Sequence, residues 1–326
     1  MFSKSVLDMD WLAEAARIES SMREIVGARF RRRGVVVGVS GGIDSSLVAA
    51  LCARAFGPER VLALFMPETD SAGESLELGK LVAERFGIPT QTINLYAALE
   101  AMGCYRERDA AIRSVFPEFG PGWKSKIVLP GIGDQSRLNV FSLVVQSPEG
   151  VQQRARPPLD AYLTIVAATN MKQRTRKLTE YYWAEKHNYA VAGTPNRLEY
   201  DQGFFVKYGD GAADVKPIAH LYKTQVYAMA RAIGVPEEIC RRRPTTDTYS
   251  LPQGQDEFYF ALPFEQMDLC LWAHNHGVSA EEVAPVAGLT PAAVANAFKD
   301  IEAKRRTTLV LHLPPVLVEP VPEIKS

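Results

Sequence analysis

The sequence is poor in the residues that mark several large protein classes. Its 326 residues contain only four cysteines, Cys52, Cys104, Cys240 and Cys270, far apart and with no Cys-x-x-Cys pair. Neither a disulfide framework nor a zinc ribbon is indicated. Glycine and proline, 23 and 21 residues, are too sparse for a fibrous or disordered chain. No apolar run approaches the length of a membrane span, and residues 1–10 lack the basic start and unbroken apolar stretch of a signal peptide. Charge of one sign is missing too. With 37 basic against 38 acidic side chains the net charge is −1, so no overall field draws the chain to nucleic acid or to an anionic membrane. An apolar fraction of 47% is that of a packed soluble protein, read here as cytoplasmic, with one large α/β domain or two smaller ones.

What is present is an alternation of strands and helices. Trp11 to Phe30 has helical spacing, and Val35 to Val39 is a β-branched run of the kind found in a buried parallel strand. Ser40-Gly41-Gly42 interrupts, Ile43 to Phe56 is helical, Val61 to Met66 is a strand, Gly73 to Phe86 a helix and Pro89 to Leu95 a strand. The alternation predicts a doubly wound parallel sheet with helices on both faces. It lapses between Gly103 and Pro158, which reads as an inserted β-hairpin or flap. It resumes with a helix over Leu159 to Lys186, a strand over Tyr189 to Gly193 and a helix over Leu221 to Ile233. The resulting layout is one domain over 1–300, interrupted at about 103–158, and a tail over 301–326. The Val-, Leu- and Pro-rich stretch from Arg305 to Ser326 is expected to lie extended.

The most informative residues are Ser40-Gly41-Gly42-Ile43-Asp44-Ser45-Ser46, between the first strand and its helix. Glycines let the backbone approach an anion, and free N–H groups at a helix start attract phosphate. Ser40, Ser45 and Ser46 offer hydroxyls to phosphate oxygens, and Asp44 is a hard oxygen ligand for Mg²⁺. The pattern is neither a Walker loop nor Gly-x-Gly-x-x-Gly. The plain alternative is a turn in which Ser40 or Asp44 caps the helix.

This loop resembles the pyrophosphate loop of the N-type ATP pyrophosphatases, which hold the β- and γ-phosphates of ATP while a substrate oxygen attacks the α-phosphorus. Further blocks follow: Asn170-Met171-Lys172-Gln173-Arg174-Thr175-Arg176, Gly193-Thr194-Pro195-Asn196-Arg197-Leu198-Glu199, Lys207 to Pro217, Leu221-Tyr222-Lys223-Thr224-Gln225 and Pro244-Thr245-Thr246-Asp247. In order, wording and spacing they are similar to the motifs of the ammonia-dependent NAD synthetases. That resemblance implies an adenine nucleotide alpha hydrolase-like fold and amidation of deamido-NAD through an acyl-adenylate, with ATP as substrate and Mg²⁺ as metal. It assigns ATP contacts to Ser40, Gly41, Gly42, Asp44, Ser45, Ser46, Thr194, Lys223 and Thr245, and metal ligation to Asp44 and Glu199. Deamido-NAD falls to Asn170, Arg174, Lys207 and Asp210. Catalytic roles fall to Asp210 beside the ammonia, Lys223 at the α-phosphate and Thr245 on a closing loop. A homodimer with its acceptor site at the subunit interface is also implied.

Taken singly, these residues have plainer readings. Glu199 would be a solvated carboxylate, Asp210 a turn aspartate, and Asn170, Lys172, Arg174 and Arg176 a solvated charged face. Lys223 at a helix start is the exception, since a cation there opposes the dipole unless an anion lies nearby. The insertion and the altered lid, Thr246 to Pro252, leave room for a second reading in which another small carboxylic acid is amidated. A non-catalytic nucleotide- or tRNA-binding protein is a third, though binding alone does not require Asp44, Glu199, Lys223 and Asp210 together. Only a helix-sized segment precedes Ser40 and no cysteine sits in Gly-x-Cys-x-Gly, so ammonia is expected free or from a separate glutaminase. The arginines at 29, 31–33 and 241–243 read as helix-end cations and a solvated face.

Overall fold

The computed structural model describes residues 2–71, 73–128, 141–242, 249–251, 254, 259–260 and 262–324. In chain order the first half comprises α1 (Trp11–Arg23), β1 (Val35–Gly38), α2 (Ile43–Phe56), β2 (Val61–Phe65), α3 (Gly73–Phe86), β3 (Thr90–Thr92), α4 (Tyr96–Ala101), α5 (Cys104–Arg113), β4 (Lys124–Val128), β5 (Ser142–Gln146) and β6 (Gln152–Ala155). The second half comprises α6 (Leu159–His187), β7 (Ala190–Ala192), α7 (Arg197–Gln202), α8 (Lys223–Ala232), α9 (Glu237–Arg241), α10 (Phe264–Asn275), α11 (Ala280–Ala287) and α12 (Pro291–His312). The helical spacing that begins at Trp11 continues beyond α1 as a π-helical turn, Glu24–Arg29.

The parallel sheet runs β3-β2-β1-β7, with Val35 opposite both Val61 and Ala190. Both faces of β1 are covered, and its three valines alternate between them as a pleated strand requires. Val35 and Val37 join the core made with α1, α2, α8 and α9. Val36 points the other way, into a core with Leu64 of β2, Val191 of β7 and Leu99, Cys104, Ala168 and Ala184 from α4, α5 and α6. A doubly wound α/β sheet is therefore what the valine run encodes. The strand order places β2 and β3 on one side of β1 and β7 on the other. The loops after β1 and β7 face each other across this switch point, where open α/β sheets bind ligands.

The segment between α5 and α6 forms an antiparallel sheet, β4-β5-β6. Leu143 and Val145 of β5 pack with Ile127 of β4 and with Ile112, Phe116 and Ile165. Phe141 stacks on Tyr162 of α6, ring centroids 4.9 Å apart.

The C-terminal region differs from the extended tail read from its composition. Residues 305–312 are the last turns of α12, and the chain leaves the helix only at Leu313. The first prolines of that stretch are Pro314 and Pro315, so nothing before them breaks the hydrogen-bond ladder, and tertiary contacts hold it. Buried Val294, Ala297 and Ile301 anchor the helix. Its end lies on the loop after α7. A Cβ on Gly203 would stand 2.3 Å from the Thr308 Cβ, and Gly203 has φ +73°, so a glycine is needed there on two counts.

Candidate active site

The loop after β1 is pressed against α3. Gly41 has φ +74°, and a Cβ there would lie 2.4 Å from the Ser75 carbonyl oxygen and 3.0 Å from the Leu78 Cβ. Gly42 is the N-cap of α2, and no side chain caps that end, so neither Ser40 nor Asp44 plays the capping role of the plain reading. The Ser45 hydroxyl instead ties the loop together, donating to the Gly42 carbonyl at 3.1 Å and accepting from the Ser40 N–H at 3.2 Å. Among the described residues the first N–H groups of α2 have no side-chain acceptor, which is the electrostatic definition of an anion site. Gly41→Ala is expected to cost about 1–3 kcal/mol through strain at that backbone angle, and more if Ser75 has to move. Urea unfolding measures it, and ATP binding should weaken in parallel.

Ser40, Gly42, Asp44 and Ser45 line a cleft of about 470 Å³, whose wall also includes Thr194, Glu199 and Lys223. Lys223 is the first residue of α8 and almost fully buried. The anion its position demanded is Asp44: the ammonium donates to Oδ2 of that carboxylate. Burial alone would lower the Lys223 pKa, but Asp44 and Glu199 outweigh it and hold the value above the ordinary lysine range. The other Asp44 oxygen, Oδ1, accepts from Asn196 Nδ2 at 2.9 Å. Asn196 is the N-cap of α7 and completes a capping box: its Oδ1 accepts from the Glu199 N–H at 3.2 Å, while Glu199 Oε2 accepts from the Asn196 N–H at 3.1 Å. One asparagine thus links the two candidate metal-binding carboxylates. The sequence reading quoted Asn196 without giving it a role, although Asn-x-x-Glu at a helix start is a capping signal.

Asn170 and Asp210 line the same cleft, with Phe141, Tyr162, Gln173, Arg176, Lys177, Glu180 and Phe205. Asp210 accepts from the Val206 N–H at 2.7 Å. Burial pushes its pKa up, against the pull of that hydrogen bond and of Lys177 and Arg176. Lys177 and Glu180 form a buried ion pair at 2.6 Å, which the sequence reading missed. The basic strip of α6 is not a solvated face throughout. Lys172 is buried against Glu68 and Asp70, and Arg176 faces the cleft.

Other assigned residues lie elsewhere. Arg174 and Lys207 are outside the cleft wall. Arg174 Nε donates to the Lys207 carbonyl at 3.2 Å, and Lys207 Nζ donates to the Val310 carbonyl of α12 at 2.8 Å. Gly41 and Ser46 are likewise not part of the wall. Ser46 is fully buried, its hydroxyl without a partner among the described residues. Thr245 and most of the altered lid lie outside the described residues.

No cluster of three or more His, Cys, Asp or Glu side chains able to hold a metal occurs among the described residues. A two-carboxylate site does not need one. Mg²⁺ is ordinarily held by one or two carboxylates together with substrate phosphates and water. Asp44 and Glu199, joined through Asn196 beside the uncapped start of α2, are a donor set of that kind.

Residues 14–114 and 144–308 match the NAD synthase family. The chain belongs to that family. An NH(3)-dependent NAD(+) synthetase of Rhizobium meliloti is 58% identical over 325 residues, covering 100% of this chain and 97% of the relative. One from Thermotoga maritima is 37% identical over 243 residues, 74% of this chain and 80% of the relative. Among solved structures, an NH3-dependent NAD synthetase from Campylobacter jejuni superposes with a TM-score of 0.61 at 22% identity, covering 95% of this chain and 100% of that one. An NMN synthetase from Francisella tularensis gives 0.65 at 19% identity, covering 95% and 99%. At such identities the two structures speak to the NAD synthase fold alone. Among the described residues no helix is long and apolar enough to cross a membrane.

Proposed function

We propose that this chain amidates deamido-NAD with ammonia at the expense of ATP, releasing NAD, AMP and pyrophosphate. The observation that carries the reading is the Asp44–Lys223–Asn196–Glu199 constellation at the start of α2, opening into the same cleft as half-buried Asp210. The N–H groups of α2 and the Ser40 hydroxyl hold the triphosphate on a loop that Ser45 braces, and Lys223 places a permanent charge where the α-phosphorus accepts the nicotinate oxygen. Asp44 and Glu199 are the residues that would hold Mg²⁺, which would supply charge neutralisation for the phosphates.

In the second step ammonia attacks the acyl carbonyl, a C–N bond forms and AMP departs. Only neutral ammonia is nucleophilic, so a proton acceptor is required. Asp210, whose pKa burial has raised, is suited to it. Acceptor binding falls to Asn170 within the cleft, and to Arg174 and Lys207, which lie outside its wall and are joined to each other. Arg174 shares an exposed face of α6 with Leu163, Leu178 and Tyr182, which are 54%, 72% and 59% exposed. A homodimer formed through that face would bring Arg174 to a subunit interface. All four cysteines are free and buried, which suits a reducing cytoplasm.

Incubation with Mg-ATP, ammonium and deamido-NAD should yield NAD, AMP and pyrophosphate in equal amounts. The same chemistry on another carboxylic acid is separated by running a panel of acids alongside. AMP release with a different acid but not with deamido-NAD would sink the substrate assignment, and no AMP with any acid would sink the ligase reading.

A further inference from the structure

The run Arg241-Arg242-Arg243 has the composition of a solvated helix end, and Arg241 behaves as one, 79% exposed and paired with Glu237. Arg242 does not. It is the residue at which α9 ends, its backbone extended at φ −67° and ψ 130°. Its side chain is only 19% exposed and forms part of the cleft wall. The Arg242 carbonyl accepts from the Tyr227 hydroxyl at 3.0 Å. Tyr227 stands one helical turn after Lys223 on α8, and both line the cleft. The helix that carries Lys223 therefore also pins Arg242.

The guanidinium is set beside the phosphate loop. Its Nη1 and Nη2 donate to the Ser75 hydroxyl at 3.4 and 3.3 Å. Ser75 is the residue whose carbonyl excludes any Cβ from Gly41. The nearest carboxylate partner among the described residues is Glu74, 4.0 Å away and itself 72% exposed. A guanidinium is a rigid fork of five donors, and among the described residues one serine hydroxyl at the long edge of hydrogen bonding uses little of it. A walled-in cation with donors to spare, beside an uncapped helix start, fits an anion that presents several oxygens at once.

We propose that Arg242 is a second cationic ligand of the ATP polyphosphate and holds the β,γ end that leaves as pyrophosphate. This rests on the ATP reading given above. The α-phosphorus has to face the acceptor end of the cleft, where Asn170 and Asp210 lie, so the end held against Gly42 and Ser75 is the β,γ end. As the carboxylate oxygen bonds to the α-phosphorus, the bond from that phosphorus to the bridging oxygen breaks and its electron pair departs with pyrophosphate. Arg242 meets the charge that develops there.

The test titrates inorganic pyrophosphate and, separately, AMP into the full chain with Mg²⁺ present, for the wild type, Arg242→Gln and Arg242→Lys. Arg242→Gln should weaken pyrophosphate binding about tenfold to a hundredfold, the usual loss for a charge-assisted contact, and leave AMP binding unchanged. Arg242→Lys keeps the charge without the fork and should fall in between; it carries the test if the glutamine variant does not fold. Wild-type affinity for pyrophosphate in Arg242→Gln overturns the proposal. An equal loss for AMP and pyrophosphate also overturns it, because Arg242 would then be a prop for the cleft wall. A wild-type chain that binds neither ligand overturns the ATP reading itself, which the variants alone do not reach.

Discussion

Lys223→Met should slow adenylate formation by about two to three orders of magnitude, the usual loss when one preorganised charge at a reacting centre is removed. The measurement is deamido-NAD-dependent exchange of pyrophosphate into ATP, which reports the first step without the ammonia step. Methionine has nearly the length of lysine and fills the buried slot at the head of α8, so the loss would report charge and not packing. Because Asp44 and Glu199 hold the Lys223 pKa above the ordinary lysine range, the wild-type side chain stays charged throughout the assay range. The deficit of the variant should accordingly not vary with pH. A cost in stability is expected as well, since among the described residues Asp44 keeps only Asn196 as partner. It should stay below the 3–5 kcal/mol seen for fully buried pairs, because the Asp44 side chain retains 16% exposure. Exchange within tenfold of wild type in a folded variant would remove Lys223 from the chemistry.

Much of this fold is legible in the sequence because β1 leaves little choice. Three consecutive valines between an arginine-rich end and a Ser-Gly-Gly break suit only a strand covered on both faces, and Val35, Val36 and Val37 divide between the two cores. The end of α12 was not legible. Thr307, Thr308, Leu309 and Val310 have the composition of a strand or an extended tail, and what keeps them helical is the anchor at Ile301 together with contacts to the loop after α7. Those contacts depend on tertiary placement, which overrides local propensity.

The site divides along the same line. Residues adjacent in sequence, Ser40 to Ser45, announce themselves by glycine spacing and position after a strand. The pairing of Asp44 with Lys223, separated by 179 residues, does not. The sequence said only that a lysine at a helix start needs an anion; the fold supplies its identity. Arg242 was hidden by its neighbours, because a run of three arginines averages to a solvated face while the end of α9 turns one of them inward. Asp268 left a fainter signal: a lone carboxylate at a buried position of the apolar pattern Phe264 to Leu271, which one sequence alone gives no reason to connect with Lys223.

Asp268 carries the second large expected effect. It belongs to α10, is fully buried, and accepts from the Lys223 N–H at 3.2 Å, the Thr224 N–H at 2.7 Å and the Thr224 hydroxyl at 2.7 Å. It thus caps the start of α8 from a different helix and fixes the backbone from which Lys223 reaches Asp44. Burial raises its pKa to about 7, although the three hydrogen bonds and Lys223 pull the other way. The unfolded chain returns the group to about 3.9. Between those values the folded state holds the proton more tightly, so the stability due to Asp268 is complete below the unfolded pKa and is lost as pH rises through about 7. The amount at stake is up to about 4 kcal/mol. Asp268→Asn cannot titrate; it should shift the whole stability curve by the pH-independent cost of the altered cap and flatten it over that interval. The difference between wild-type and variant unfolding free energies, measured by urea titration from pH 4 to 8, isolates this group from every other carboxylate. A difference that stays constant with pH would mean that the three donors outweigh burial and that Asp268 is an ordinary charged cap.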